Sequence, residues 1–491
     1  MVQSKHETPD YIPPEYGEEP QPSDLATGTL DYRTVWSLAG PNVISNILMV
    51  SVSFAQLALV APLGASATAA VVTGSRIQFF MMALALALSV STTAVVARAW
   101  GAGDRQQAAT ALAASVTLGT GMALVMAVLV YSTASMTVGL FGLDPNTSGD
   151  AEDYVRLSAL INLVPTLFII LTAGFRATGK VVMPLWVTAV STTVSIAASA
   201  LFLYLDWGVI GVVYGSFVGQ TLALILLLIA WVNRSSGLAP RFGGWTNKEI
   251  MGSLLRIGAP SALEQLLIQA SFILYMVLIA RYGTEAFAAY GIGITILSVT
   301  IVVGLGFGTA SSALTGQSLG ANLPERARQS GWAAARLAVG LMTILAVLTW
   351  AGGDLLADIL TTDPLVRDYT IAFILILAVV QPPMAVEFAI GGGLRGAGDT
   401  RFPLIVTFCG NILARFGLGV LVVTLDLGVI WLYSVIIVDY AVKSMLLVLR
   451  FRGDAWITAI KEGGSATPAA LPSLAGVSRA ALRAFYSRRK D

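Results

Sequence analysis

The sequence predicts an all-α membrane protein: twelve transmembrane helices in two six-helix lobes, related by a pseudo-two-fold axis along the membrane normal. Three observations predict it. The 491 residues are 56% hydrophobic and only 12% charged, with a mean hydropathy of +0.77, whereas a soluble domain is about 25% charged. Twelve runs reach the roughly 20 apolar residues that a bilayer-spanning helix needs. The two halves of the chain also repeat at a constant offset. The composition excludes a soluble enzyme.

In order, the apolar runs are spans 1–6 at 34–60, 67–96, 107–135, 151–174, 181–205 and 208–233, and spans 7–12 at 257–281, 286–317, 328–352, 368–393, 402–425 and 428–450. Glycine and proline punctuate the joins, as in Pro62-Leu63-Gly64, Gly101-Ala102-Gly103-Asp104 and Asp144-Pro145-Asn146. The domain reading follows: a disordered N-tail 1–33, an N-lobe 34–233, an inter-lobe linker 234–256, a C-lobe 257–450 and a C-tail 451–491. The acidic, proline-rich start is not a cleavable signal peptide. In the tails, Pro13-Pro14-Glu15-Tyr16 matches a WW-ligand pattern that chance explains in such a segment. Residues 463–473 read as a flexible linker, and Ser478–Lys490 as a short basic helix or an unstructured basic tail.

Basic residues set the orientation. The loops after spans 2, 4, 6, 8 and 10 carry Arg98, Arg105, Arg176, Lys180, Arg234, Arg241, Lys248, Arg256, Arg326, Arg328, Arg395 and Arg401, whereas the other loops carry only Arg281 and Arg367. This bias places both termini in the cytoplasm and the chain in the cytoplasmic (inner) membrane. Acidic and basic residues nearly cancel, 28 against 29, so no net field points to nucleic acid. The expected partners are small-molecule substrates and the bilayer, and the expected state is a monomer. The single cysteine, Cys409, forbids an internal disulfide, and the single histidine, His6, leaves no zinc cluster. No cofactor is expected beyond a coupling ion.

The repeat has an offset of 219. It pairs Pro41 with Pro260, Leu63-Gly64 with Tyr282-Gly283, Gly101-Ala102 with Gly320-Ala321, Gly174-Phe175-Arg176 with Gly393-Leu394-Arg395, Gly179 with Gly398 and Pro184 with Pro403. From Asp206 and Asp426 onward the offset is 220. Six spans per half start both halves on the same side, the architecture of an alternating-access carrier. Pro165 is expected to break span 4, and Pro382-Pro383 to break span 10 near the equivalent place. Gly211, Gly215 and Gly219 form a small-residue packing stripe in span 6. Gly174 to Lys180 nearly spells a phosphate-binding loop, but Val181 replaces the Mg²⁺-holding hydroxyl and no strand precedes it. Transport therefore draws on an ion gradient or is passive.

Ionisable residues inside spans are costly and mark function. Glu264 (span 7), Glu387 (span 10) and Asp439 (span 12), with Arg415 and Lys443 as supporting charges, all lie in the second half; by the offset, Glu264 matches Ser45 and Glu387 matches Phe168. Counted from Arg256 and Arg395, Glu264 and Glu387 lie about 12 Å deep, and Asp439 about 16 Å deep from Arg450, at the helical rise of 1.5 Å per residue. The three acids are candidates for cation or proton coupling. Asp439 and Lys443, four apart, can instead neutralise each other, and Arg415 can reach an acid across the bundle. Candidates for the substrate cavity are Asn42, Asn46, Gln56, Gln265, Gln269, Tyr275 and Asn411, although interhelical hydrogen bonding explains most such residues.

At Gly316-Gln317-Ser318-Leu319-Gly320-Ala321 with Pro324-Glu325-Arg326-Ala327, at Gly393 to Thr400, and at Ile257-Gly258-Ala259-Pro260 into Glu264-Gln265, the chain resembles the MATE (multidrug and toxic compound extrusion) family over about residues 35–450. The resemblance implies two six-span lobes and export of amphipathic, often cationic, compounds by Na⁺ or H⁺ antiport. It also implies a structural Arg395, closing the turn after span 10. Gln56 stands where many members carry an aspartate, and Glu264 and Glu387 stand about one turn nearer the cytoplasm than the family pattern. The reading is a secondary antiporter exporting hydrophobic, cationic drugs or toxic organic compounds. No metal site is expected beyond Na⁺ at Glu264 and Glu387, and the choice between Na⁺ and H⁺ stays open. The alternatives are a lipid-linked saccharide or lipid flippase of the same superfamily, which would line its cavity with more arginines, and a narrow-specificity metabolite exporter.

Overall fold

A computed structural model describes residues 32–139, 145–240 and 247–457. His6, the Pro13–Tyr16 motif, Arg241, the 463–473 linker and Ser478–Lys490 lie outside the described residues. Within them the chain is helical throughout. Span 1 is Tyr32–Val60, span 2 Ala65–Gly101, span 3 Arg105–Gly139, span 5 Val182–Tyr204 and span 6 Gly208–Val232. Span 7 is Lys248–Ala280, span 8 Thr284–Gly320, span 9 Pro324–Ala351, span 10 Pro364–Gly396, span 11 Arg401–Thr424 and span 12 Val429–Arg452. These eleven are each long and apolar enough to cross a membrane. Span 4 is the twelfth, a pair of helices, Pro145–Ile161 and Leu163–Ala177, bent by 48°.

The two proline expectations diverge. Pro165 lacks the N–H that would bond the Ile161 carbonyl, and the helix breaks one turn earlier, at Asn162. Pro382 and Pro383, in contrast, lie inside an unbroken helix from Pro364 to Gly396, which corrects the expected break in span 10. Close backbone packing against span 8 holds that axis. A Cβ on Gly392 would lie 2.2 Å from the Gly308 carbonyl oxygen, and one on Gly396 would lie 2.1 Å from that of Ser312. Membrane helices tolerate proline where neighbours fix them in this way.

Span 7 begins nine residues before its apolar run, inside the stretch read as a linker. Asn247 caps it, its Oδ1 accepting from the amides of Glu249 and Ile250, each at 3.1 Å. Ile250 and Leu254 are then buried in a hydrophobic cluster of the first half, with Leu238, Leu227 and Trp231. The glycine stripe of span 6 packs as expected. A Cβ on Gly215 or Gly219 would overlap Ser199 or Ser195 of span 5 at 2.2 and 2.0 Å.

The repeat is visible in the backbone. Positive φ occurs at Gly64 and Gly283 (104° and 102°), Gly179 and Gly398 (87° and 86°), Gly103 and Asn322 (75° and 61°), and Asp206 and Asp426 (58° and 53°). Each pair stands at the sequence offset. The left-handed region explains why glycine, asparagine or aspartate occupies these turns.

The halves meet at the end of the bundle where the basic residues gather. There the repeat produces a reciprocal contact. Gly101 abuts the backbone of Gln317, and Gly320 abuts the backbone of Arg98; added Cβ atoms would lie 1.9 and 2.0 Å from those carbonyl oxygens. Gln317 is the repeat mate of Arg98. Its Nε2 also donates to the Ala177 carbonyl at 2.8 Å, joining the end of span 8 to that of span 4. Nearer the middle, Gly306 abuts Val43, and Asn46 Nδ2 donates to the Val302 carbonyl at 3.4 Å.

Any side chain at Gly101 or Gly320 must part these ends. Spin labels on Ala102 and Ala321 are expected to report a longer distance in Gly101→Val and in Gly320→Val than in the parent. An unchanged distance would show that the contact does not hold the halves together.

Candidate functional site

Six ionisable side chains of spans 7, 10, 11 and 12 meet inside the second half. Glu264 is buried and bound three times: Arg395 Nε donates to Oε2 at 3.2 Å, Arg395 Nη2 donates to Oε1, and Thr407 Oγ1 donates to Oε1 at 3.1 Å. Arg415 pairs with Asp439. Lys443 Nζ lies 3.1 Å from Glu387 Oε2 and 3.4 Å from Asp439 Oδ1, and it donates to Asn411 Oδ1 at 3.2 Å. Three acids thus meet three bases, and the cluster is formally neutral.

Local backbone makes the meeting feasible. Phe408–Gly417 of span 11 is a π-helix, a rare, widened form often met at functional sites, and it carries both Asn411 and Arg415 into the cluster. Gly410 admits span 12, since a Cβ there would lie 2.4 Å from both Asp439 Oδ1 and Lys443 Cγ. Aromatic rings surround the cations. Arg415 lies 5.6 Å from the centroids of Phe272 and Tyr440 and 5.9 Å from that of Tyr275, and Lys443 lies 4.0 Å from that of Tyr440.

The acids are not equivalent. Glu264 has its hydrogen bonds made. Glu387 Oε2 and both oxygens of Asp439 are buried at ion-pair distance from cations yet outside hydrogen-bond geometry. The Asp439 side chain is 0% exposed and that of Glu387 16%, so Glu387 is the under-bonded acid that is not wholly enclosed.

The structure brings Glu264, Glu387, Asp439, Asn411, Arg415 and Lys443 together. It adds Arg395, which the sequence placed in a structural turn. The arginine is in the last turn of span 10 and points its guanidinium at Glu264. Its repeat mate Arg176 likewise lies in a helix, Leu163–Ala177, rather than a loop. Tyr275 is fully buried and donates to the Leu432 carbonyl, within an aromatic core with Tyr290, Phe373 and Tyr433; it is a packing residue, which corrects its reading as a cavity residue. Asn42 is buried and bonded to Leu38 of its own helix at 2.9 Å. Gln56 donates to Ser216 Oγ at 2.5 Å within the first half. Gln265 and Gln269 are half-buried on span 7.

The donor set does not fit Na⁺. A hard cation takes a shell of several oxygens, whereas each carboxylate here already lies against a basic side chain. Among the described residues no three His, Cys, Asp or Glu side chains group as ligands.

The family model MatE matches residues 41–201 and again 260–421, a second copy displaced by the same 219 residues. The chain belongs to the MatE family. As a MatE protein it is a multi-pass membrane transporter of the multidrug-efflux type rather than an enzyme. It is 27% identical over 432 residues to the probable multidrug resistance protein NorM of Bradyrhizobium diazoefficiens, covering 84% of this chain and 92% of that one. It is 29% identical over 306 residues to the human multidrug and toxin extrusion protein 1, covering 61% and 53%. The outward-facing structure of a MATE multidrug resistance transporter superposes with a TM-score of 0.82 at 20% identity, covering 88% and 97%. The MatE fold therefore holds over both halves, and the ionic cluster is built within its second half.

Breaking one buried pair leaves a charge uncompensated, which costs about 3–5 kcal/mol. Asp439→Asn is expected to lose that order of stability in detergent unfolding, and adding Arg415→Met is expected to restore most of it, because replacing a whole buried pair is close to neutral. Equal stability of Asp439→Asn and the parent would exclude the pair as a stabilising element.

Proposed function

We propose that this protein exports hydrophobic, cationic compounds in exchange for protons, with Glu387 as the acid that binds the driving proton. The carrying observation is that Glu387 is partly exposed and under-bonded in a cluster that is formally neutral only while Glu387 is ionised. A fully paired cluster is neutral, and one proton on Glu387 makes it positive. A cationic substrate is repelled by the protonated cluster and tolerated by the neutral one. Proton and substrate then favour different states of one protein, which exchange requires. Asp439 and Lys443 hold Glu387 within the network, and Glu264, bound to Arg395 and Thr407, anchors span 7 to span 10.

The basic residues at the joined end support a cytoplasmic position for that end. The conformer described is then closed towards the cytoplasm, with both termini on that side of the inner membrane. Gln265 and Gln269 on span 7, and Asn46 and Gln56 on span 1, are the polar groups proposed to meet substrate.

Ethidium efflux from proteoliposomes tests the reading. An imposed proton gradient is expected to drive efflux, a proton ionophore to abolish it, and replacement of Na⁺ by choline to leave it unchanged. Glu387→Gln, which leaves the cluster positive as the proton does, is expected to lose gradient-driven efflux and to bind ethidium more weakly than the parent, and Glu264→Gln to lose stability more than coupling. Efflux that follows a Na⁺ gradient, or survives in Glu387→Gln, overturns the assignment.

A further inference from the structure

The repeat gives every member of the ionic cluster a counterpart in the first half. Glu264, Glu387, Asp439 and Lys443 correspond to Ser45, Phe168, Gly219 and Ala223, and Arg415 to Ser195 or Ile196. All are uncharged. One charge alone is kept: Arg395 corresponds to Arg176. The hydroxyl that binds Glu264 is kept as well, because Thr407 corresponds to Thr188, which is buried at the start of span 5. The first half thus repeats the arginine and the threonine that hold the Glu264 carboxylate, and lacks the carboxylate.

Arg176 has no substitute partner. Among the described residues it makes no ion pair or hydrogen bond, and its Nε is buried without an acceptor. One turn earlier, Thr172 stands where the second half has Gly391, and its hydroxyl is buried without a partner too. Buried polar groups are almost always bonded, so each exception calls for a cause. Arg176 as a whole is half-buried.

We propose that the first half holds a carboxylate-binding site at Arg176, Thr188 and Thr172, in which an external carboxylate takes the place that Glu264 fills in the second half. Ser45, which stands at the repeat position of Glu264, has the shorter side chain. The site goes beyond the proton-exchange reading and shares no residue with it. Two sources carry the chemistry: a small free carboxylate, or the carboxylate of an amphipathic substrate.

The test uses the full chain in detergent, with thermal unfolding followed by tryptophan fluorescence during titration with acetate and with benzoate at constant ionic strength. A saturable rise in the midpoint is expected, because a ligand that binds only the folded state stabilises it. Equal response to both marks a small free anion, and response to benzoate alone marks an amphipathic carboxylate. Arg176→Gln is expected to weaken binding by at least about tenfold, the loss of a charge-assisted contact. Ser45→Glu is expected to abolish the response and to raise the midpoint of the free protein only when Arg176 is present. If Arg176→Gln does not fold, Ser45→Glu decides by itself. No saturable response in the parent, or a response retained in either variant, overturns the site. Proton-driven ethidium efflux is unaffected by these outcomes and separates the two proposals.

Discussion

Charge balance inside an apolar bundle is the constraint on which the second half depends. A lone charge near the middle of a bilayer is expensive, and this half carries six in spans 7, 10, 11 and 12. They are tolerated because they close on one another: Glu264 with Arg395, Asp439 with Arg415, and Lys443 between Glu387 and Asp439. The rest of the local structure serves that closure. Span 11 widens into a π-helix to bring Asn411 and Arg415 inward, and Gly410 leaves span 12 room to approach. Neutrality achieved by several groups can also be tipped by one proton, whereas neutrality achieved by apolar side chains cannot.

Much of this was legible in the sequence. Twelve apolar runs gave twelve spans, because burying helical backbone in lipid leaves few other solutions. The 219-residue offset gave the repeat, and matched positive-φ turns reproduce it down to single residues. The acids stood out because ionisable residues are rare in such runs. Their partners were harder to see. Arg395 reads as a turn residue, since position along a chain says where a Cα lies and not where a long side chain points. Tyr275 reads as a cavity residue, since polarity alone cannot separate a lining hydroxyl from one bonded to a neighbouring carbonyl. Proline was equally ambiguous. Pro165 breaks a helix and Pro382-Pro383 do not, and the difference lies in the packing of span 10 on span 8.

The two halves divide the work unevenly. Backbone turns, glycine contacts and the joined ends obey the repeat, because both halves must fold and meet in the same way. Of the cluster's charges only Arg395 obeys it, through Arg176. At the other five the first half is small, hydroxylated or apolar, and Gln56 is satisfied by serines of its own half. The three deep acids are thereby confined to one half.

The sequence separation of Glu264 and Arg395 bears on how the protein is made. The two are 131 residues apart, with spans 8 and 9 between them. During synthesis span 7 leaves the ribosome long before its counter-charge exists, and Asp439 and Lys443 follow only with the last span. The second half therefore reaches its balanced charge state only after its last span has been made. Final assembly of this half is a late and collective event, whereas the first half, free of acids deep in its spans, can settle as it is produced.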